Sequence, residues 1–350
     1  MENLREQILI LVSCPVYLII IGLEVLLSNY RHRDHHHHGA AGSQRRADPD
    51  HRSGGRRPII SRLAMKGDFS QEALHRQTYT WKDTFTNFYL MLFNGGIDLL
   101  FRGFYILVLE LCYRHHWISI TNAFSYWFLL LLAEDFLYYW LHRWDHEIRL
   151  FWAVHVTHHS SEQLNFTVGF RSSVFQPLYR FVYFMPLALL GFKPLDIVFM
   201  YSATQIWGIF VHTELIGKMG WLEYILVTPS HHRVHHASNP RYLDKNMGMF
   251  LIIWDQLFGT FQPELGPEEY QPTRYGLTRP LEKTGPADIV FHEWQAIGKD
   301  VARQDIGWKE KWNYVFGPPG WSHDGSRQTS EQMRETEALE SLDFAPDPQF

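Results

Sequence analysis

Long apolar blocks alternate with strongly polar stretches along the 350-residue chain. Residues 8–27 form one apolar block that is long enough to cross a bilayer as a helix. Three further blocks have a similar composition: residues 88–112, 118–141 and 172–211. The last block is interrupted at Gly191 by a Gly-Phe-Lys-Pro segment, which predicts a turn between two short arms. The pattern therefore predicts an all-α integral membrane protein built as a transmembrane helix bundle.

The polar stretches define the rest of the predicted organisation. The segment after the first apolar block is basic and contains Gly, Ser and Pro, which is typical of a linker. The chain beyond residue 320 is dominated by polar residues, so we expect it to be disordered. The predicted units are an N-terminal transmembrane helix (1–30), a basic cytoplasmic linker (31–84), a domain of membrane helices and histidine-rich segments (85–261), a soluble C-terminal extension (262–320) and a disordered tail (321–350).

Composition refines this picture. The chain contains 25 Phe, 17 Tyr and 13 Trp, an aromatic content typical of proteins with many side chains at a membrane interface. The net charge is −5, so the chain has no overall electrostatic signature of a nucleic-acid partner. The two cysteines, Cys14 and Cys112, lie in apolar segments and indicate no disulfide framework.

Histidines recur at helical spacing in three segments. Positions i, i+3 and i+4 share one face of a helix, so each segment is predicted to direct its imidazoles at one point. Neutral imidazole is a common ligand of iron, zinc and copper, and one tetrahedral zinc ion takes only four ligands. The nine candidate ligands, which suggest two metal ions, are His142, His146, His155, His158, His159, His212, His232, His235 and His236. His231 is a further candidate, either as a ligand or as a group that supports one.

Other polar residues near these segments are candidates for supporting roles. Asp135 is predicted to share a helix face with His142, where a carboxylate would fix the tautomer of a ligand. Glu214 follows His212 by two residues and is a candidate for contacting a polar cofactor or head group. Further candidates for supporting ligands or contacting substrate are Glu162, Asn165 and Asn246. The run His35–His38 lacks helical spacing and is interpreted as a solvated loop.

The basic linker orients the bundle. Positive charge favours the cytoplasmic side, so residues 31–84 are predicted to lie there. Counted from that loop, the span 118–141 returns to the cytoplasm, and so does the hairpin 172–211. All histidine segments are therefore expected on the cytoplasmic face, as a helical histidine-rich cap.

The three segments resemble the histidine boxes of the fatty acid hydroxylase (sterol desaturase) superfamily, in which HxxxH or HxxxxH is followed by two HxxHH segments. The flanking sequence resembles an alkylglycerol monooxygenase-like branch of this superfamily. The similar segments are Glu134-Asp-Phe-Leu-Tyr-Tyr-Trp-Leu-His-Arg and Thr228-Pro-Ser-His-His-Arg-Val-His-His. The resemblance extends over residues 85–320 and makes 85–261 a fatty acid hydroxylase domain. Residues 1–84 and the tail lie outside it.

This resemblance implies an oxidoreductase with a non-haem di-iron centre held by the histidines. Its substrates would be a membrane lipid and dioxygen, and a separate donor would supply electrons. In the alkylglycerol branch the donor is tetrahydropterin, and the hydroxylated carbon lies next to an ether oxygen.

Two alternatives remain open. The first is a sterol or fatty acid hydroxylase or desaturase of the same superfamily. The second is a zinc-dependent membrane hydrolase or a non-catalytic metal-binding membrane protein. An H-E-x-x-H zinc site is disfavoured, because Arg143 follows His142 where that motif has Glu.

Overall fold

The computed structural model describes residue 11, residues 14–28 and residues 78–343. The run His35–His38 and most of the predicted linker lie outside the described residues. The described chain is helical, and its β interactions are two isolated bridges, Leu226–Leu251 and Ala237–Tyr275. The all-α prediction is confirmed for this part of the chain.

The helices are labelled in chain order. They are α1 (Cys14–Ser28), α2 (Trp81–Tyr113), α3 (Ala123–Glu147), α4 (Arg149–His159), α5 (Gln176–Leu189), α6 (Pro194–Phe210), α7 (Pro229–His236), α8 (Ile253–Phe258), α9 (Pro286–Val301), α10 (Trp308–Phe316) and α11 (Ser330–Asp343). Short 3₁₀ helices cover Phe166–Phe170, Gly220–Tyr224 and Pro240–Tyr242.

Helix α2 is the longest, with 33 residues and therefore a length of about 50 Å. Among the described helices it alone is long and apolar enough to cross a membrane by the usual test of length and composition. It contains the predicted span 88–112 but starts earlier, because the Thr80 hydroxyl accepts a hydrogen bond from the Asp83 N–H at 3.3 Å. The last residues of the predicted linker are therefore helical.

Helices α5 and α6 form the predicted hairpin. Gly191 has a φ of 95°, and hydrogen bonds from its N–H to Ala188 and from the Phe192 N–H to Leu187 close α5 in a Schellman motif. Pro194 then starts α6. The predicted turn is confirmed: Gly191 takes a positive φ that ends α5, and the fixed φ of Pro194 suits the first turn of α6.

The bundle core lies between α3, α5 and α6. Its buried side chains include Leu130, Leu187 and Ile197. Apolar side chains of α1 and α2 instead point outward: Leu18 is 69% exposed and Leu100 is 76% exposed. An outward apolar surface of this kind is expected where helices face lipid.

The prediction of a disordered tail from residue 321 is corrected by helix α11. Thr329 and Gln332 cap its start reciprocally, with the Thr329 N–H donating to Gln332 Oε1 at 2.9 Å. The Tyr270 hydroxyl donates to Glu337 at 2.7 Å, and Arg334 donates to the Leu243 carbonyl at 2.8 Å. Polar composition suggested disorder, but here the polar side chains pair with the rest of the protein.

Candidate metal centre

The nine predicted ligands come from four places that the fold brings together. His142 and His146 lie in the last turns of α3, and the histidines of the second and third segments lie on α4 and α7. His212 follows the end of α6. Ile148, with extended backbone between α3 and α4, turns the two helices so that their histidine faces meet. His158 is partly buried and the other eight are buried.

The imidazoles form two adjacent groups. Within each group, one nitrogen of every ring lies within 4.8 Å of one nitrogen of every other ring. The five-histidine group contains His142, His146, His155, His159 and His235. The four-histidine group contains His158, His212, His232 and His236. The rings of His159 and His236, one from each group, stack with centroids 4.5 Å apart.

The second and third segments are each split between the two groups, which corrects the prediction that each would aim at one point. On α4, His155 and His159 belong to the five-histidine group and His158 to the other. On α7, His232 and His236 belong to the four-histidine group, and His235 belongs to the five-histidine group. The reason is helical phase: positions i+3 and i+4 lie about 100° apart around the axis.

The Nε2 atoms converge within each group. His212 Nε2 lies 2.9 Å from that of His232 and 3.1 Å from those of His158 and His236. In the other group, His155 Nε2 lies 3.0 Å from His142 Nε2 and 3.2 Å from His159 Nε2.

Several Nδ1 atoms fix the tautomer that this arrangement needs. His142 Nδ1 contacts the Met247 carbonyl at 2.8 Å, His158 Nδ1 that of Arg171 at 3.0 Å and His212 Nδ1 that of Gly208 at 2.6 Å. His235 Nδ1 contacts the Lys245 carbonyl at 3.0 Å. A carbonyl only accepts, so each Nδ1 carries the proton and each Nε2 presents a lone pair to its group.

Lone pairs that face one another cannot all be satisfied by hydrogen bonds. In the described chain, the buried Nε2 atoms of His146 and His235 have no hydrogen-bond partner. Burial, assisted by the neighbouring imidazoles, holds the pKa well below its ordinary value in His142, His155, His158, His159, His232, His235 and His236. Burial also lowers the pKa of His212 to about 4. Neutral, inward-facing imidazoles of this kind fit metal ions.

Three aspartates that the sequence analysis did not select support the groups. The Asp244 carboxylate contacts His146 Nδ1 at 3.2 Å. Asp255 accepts from the Met247 and Gly248 N–H groups at 2.7 and 2.8 Å and so holds the segment whose carbonyl contacts His142. Buried Asp145 lies 3.9 Å from His155 Nδ1 and pairs with Arg180 at 3.0 Å. Asp244 and Asp255 lie in segments that resemble the family, a signal that could have identified them.

Two arginines fix the segments that follow the histidine helices. The Arg171 side chain donates to the Thr157 carbonyl on α4 and to Asp83 on α2, both at 3.0 Å. Arg233, on α7, forms a two-point pair with Glu264 at 2.8 and 2.7 Å. It also donates to the Thr213 carbonyl at 3.1 Å, which ties α7 to the residue after His212.

The predicted supporting role of Asp135 is corrected. Its carboxylate accepts from the N–H groups of Phe250 and Leu251 at 2.9 and 3.0 Å and from the Trp254 indole at 3.0 Å. It therefore holds the segment before α8. Asn246 has a similar role, since its side chain joins the His231 carbonyl to Gln262.

The remaining candidates lie outside both groups. Asn165 caps the 3₁₀ helix that follows it, and Glu162 is exposed. Glu214 is partly buried and interacts electrostatically with Arg233 and Tyr275. His231 caps α7 with Thr228, whose N–H donates to His231 Nδ1 at 3.4 Å.

The part of the chain that carries these groups is similar to a known family. Residues 127–260 match the family model described as fatty acid hydroxylase. Over this segment the chain is similar to fatty acid hydroxylases. The segment contains all nine histidines of the two groups, and it lies within the domain predicted over residues 85–261.

Relatives that share sequence with this chain are oxidoreductases by name. Alkylglycerol monooxygenase of Homo sapiens is 40% identical over 56% of this chain and 42% of its own length. Ornithine lipid hydroxylase OlsE of Rhizobium tropici is 32% identical over 51% of this chain and 60% of its own. A Delta(7)-sterol 5(6)-desaturase of Gibberella zeae is 29% identical over 44% of this chain and 46% of its own.

The matched part of this chain spans about two fifths of the length of its alkylglycerol monooxygenase relatives. No solved structure matches the chain.

Proposed function

We propose that the protein is a membrane-bound di-iron oxygenase that hydroxylates a C–H bond of a lipid. The observation that carries this proposal is the pair of neutral imidazole groups whose Nε2 lone pairs face inward. Two iron ions held there would supply dioxygen activation. The overall reaction consumes one dioxygen, two electrons and two protons, and gives the hydroxylated lipid and one water.

The protein's own residues hold and orient the site. Carbonyl groups of Met247, Arg171 and Gly208 fix three rings by accepting from Nδ1. Asp244 polarises His146, and such partners usually raise ligand basicity. Burial of the rings limits the access of bulk water to a strongly oxidising reaction.

We infer that the histidine groups lie at the cytoplasmic membrane face. His142 lies near the end of α3 and His212 follows the end of α6, while Arg171 joins this region to Asp83 at the start of α2. Three helix ends therefore meet at one level of the bundle. The basic residues of segment 31–84, most of which precede α2, support a cytoplasmic position for that level by the positive-inside rule.

The proposed substrate is an alkylglycerol, hydroxylated at the carbon next to the ether oxygen. The support is the likeness to alkylglycerol monooxygenases over more than half of this chain. The product, a hemiacetal, would break down to an aldehyde and a glycerol. The proposed electron donor is tetrahydropterin, and Glu214 remains the proposed contact for a polar cofactor.

The test uses full-length protein purified in detergent from iron-replete cells. Hexadecylglycerol and tetrahydropterin should cause dioxygen uptake matched by release of hexadecanal, measured by mass spectrometry. His158→Ala, which removes a ring from the four-histidine group, should abolish both while the protein still inserts into membranes.

Other outcomes separate the alternatives. Turnover of a sterol or fatty acid, with hexadecylglycerol inert, would move the proposal to that branch of the superfamily. Active protein that contains zinc and consumes no dioxygen would overturn it in favour of a hydrolase.

A further inference from the structure

A cavity of about 1000 Å³ adjoins the metal centre and lies between residues of the matched segment 127–260 and residues that follow it. His146, His159 and His235 of the five-histidine group line one side, together with His236 of the other group. The opposite side is formed by residues 276–283, α9 and residues 319–333, all beyond residue 260. A molecule in this cavity would therefore lie beside both histidine groups.

The cavity wall has an apolar part. Trp152 lies against two of the metal-centre rings, with ring centroids 5.2 Å from His146 and 5.6 Å from His159. Val156 on α4 and Leu277 and Leu281 on the opposite wall extend this surface. Such a surface suits the first carbons of a lipid chain.

The acidic groups at the inner end of the cavity are paired. Arg149 contacts Glu293 at 2.6 Å and Asp300 at 2.7 Å, and Arg327 contacts Asp300 at 2.6 Å. Asp244 contacts His146. Because these acids are paired, the charge of the outer rim depends on other side chains.

The outer rim carries three exposed cations, Arg279, Lys283 and Lys299. Its acids are Glu282 and Asp288, and Asp288 lies in the first turn of α9, where the helix dipole favours a carboxylate. The rim therefore carries one more positive charge than negative charges. Lysine and arginine side chains at such a rim can bind a phosphate.

We propose that this cavity binds the head group of the lipid substrate and that its rim selects a head group bearing a phosphate. The inference rests on the proposed function. A carbon oxidised close to the head group must lie near the metal centre, which places the head group in the polar cavity and the first chain carbons along Trp152. A sterol, with one hydroxyl, would desolvate the rim without pairing its charges.

Binding to metal-free, full-length protein in a neutral sugar detergent tests this directly. The probes are hexadecylglycerol and hexadecylglycerol phosphate, which share one chain and differ in the phosphate. Equilibrium dialysis should show the phosphate-bearing probe binding at least about tenfold more tightly, since a charge-assisted pair exceeds a neutral one by that order. Equal affinities would overturn the proposal.

Variants of the rim test whether its cations cause the preference for the phosphate-bearing probe. Lys283→Glu and Lys299→Glu should each reduce the affinity for hexadecylglycerol phosphate and leave that for hexadecylglycerol unchanged. Lys309→Glu, an exposed position on α10 outside the cavity, is the matched control and should change neither. Loss of the preference in the control instead of the rim variants would contradict the assignment.

Inorganic phosphate distinguishes a head-group site from a simple anion site. It should compete only at concentrations far above those of the lipid probe; equal competition would overturn the head-group assignment. Because the protein carries no metal here, failure of every lipid to turn over would count against the proposed function and leave the binding result standing.

Discussion

The carboxylate of Asp244 contacts Nδ1 of His146 at 3.2 Å, from a backbone position with a φ of 54°. The left-handed backbone at Asp244 thus places a carboxylate against Nδ1 of His146, a ring of the five-histidine group. Asparagine tolerates this left-handed conformation and keeps an oxygen acceptor, so a substitution there removes charge with little change of shape.

Asp244→Asn should therefore weaken metal binding by roughly tenfold, within the range seen when such a partner is lost. A competition titration with a chelator measures this. Asp305→Asn, at an exposed position, provides the matched control. Identical affinities in Asp244→Asn and wild-type protein would show that the contact does not tune the site.

Glu24 connects α1 to the rest of the protein. Its carboxylate accepts from the Phe166 N–H at 3.0 Å and from the hydroxyls of Tyr79 and Thr213, the residue after His212. Glu24→Leu would leave these buried donors without an acceptor and should destabilise the protein by about 1–3 kcal/mol. Glu24→Gln keeps an acceptor and should cost less. Thermal unfolding in detergent compares the two, and equal losses would argue against hydrogen bonding as the cause.

Gly191 is required by the hairpin turn. Its φ is 95°, and a Cβ there would lie 1.9 Å from the Ile118 carbonyl oxygen. Gly191→Ala should destabilise the fold by more than about 2 kcal/mol, because both the backbone and a fixed carbonyl would have to move. Gly217→Ala is the control, since a Cβ there meets nothing within 4 Å. A Gly191→Ala protein as stable as the control would refute this reading of the turn.

Arg233 ties α7 to the segment after His212. Lysine cannot reproduce its two-point pair with Glu264 together with the bond to the Thr213 carbonyl. Arg233→Lys should lower metal retention in the four-histidine group and stability together, by about 1–3 kcal/mol. Arg274→Lys, an exposed position, should change neither. Metal analysis after gel filtration gives the readout, and full retention in Arg233→Lys would contradict this role.

Local signals in the sequence predicted much of the site. Histidines at i and i+4 share a group, as His155 and His159 do, because helical phase depends only on local backbone geometry. The i+3 histidines, which were predicted to point the same way, belong to the other group. The turn at Gly191 was likewise encoded locally.

Features that depend on long-range packing could not be predicted in this way. The division of each box between two groups depends on how α4 and α7 face each other across the bundle. Asp135 shares a helix with His142, but its partners lie more than a hundred residues away, at Phe250 and Leu251. The order of α11 likewise depends on contacts with Tyr270 and Leu243, which composition does not reveal.

In the proposed function, the two histidine groups hold two iron ions that would activate dioxygen. The most direct measurement is iron content per chain in active, iron-loaded protein, together with the same measurement on His212→Ala. His212 Nε2 faces the other three rings of its group, so its loss should empty that group first. We expect two iron ions in the wild-type protein, one for each group, and about one in the variant. A single ion in active wild-type protein, or an unchanged content in His212→Ala, would contradict it.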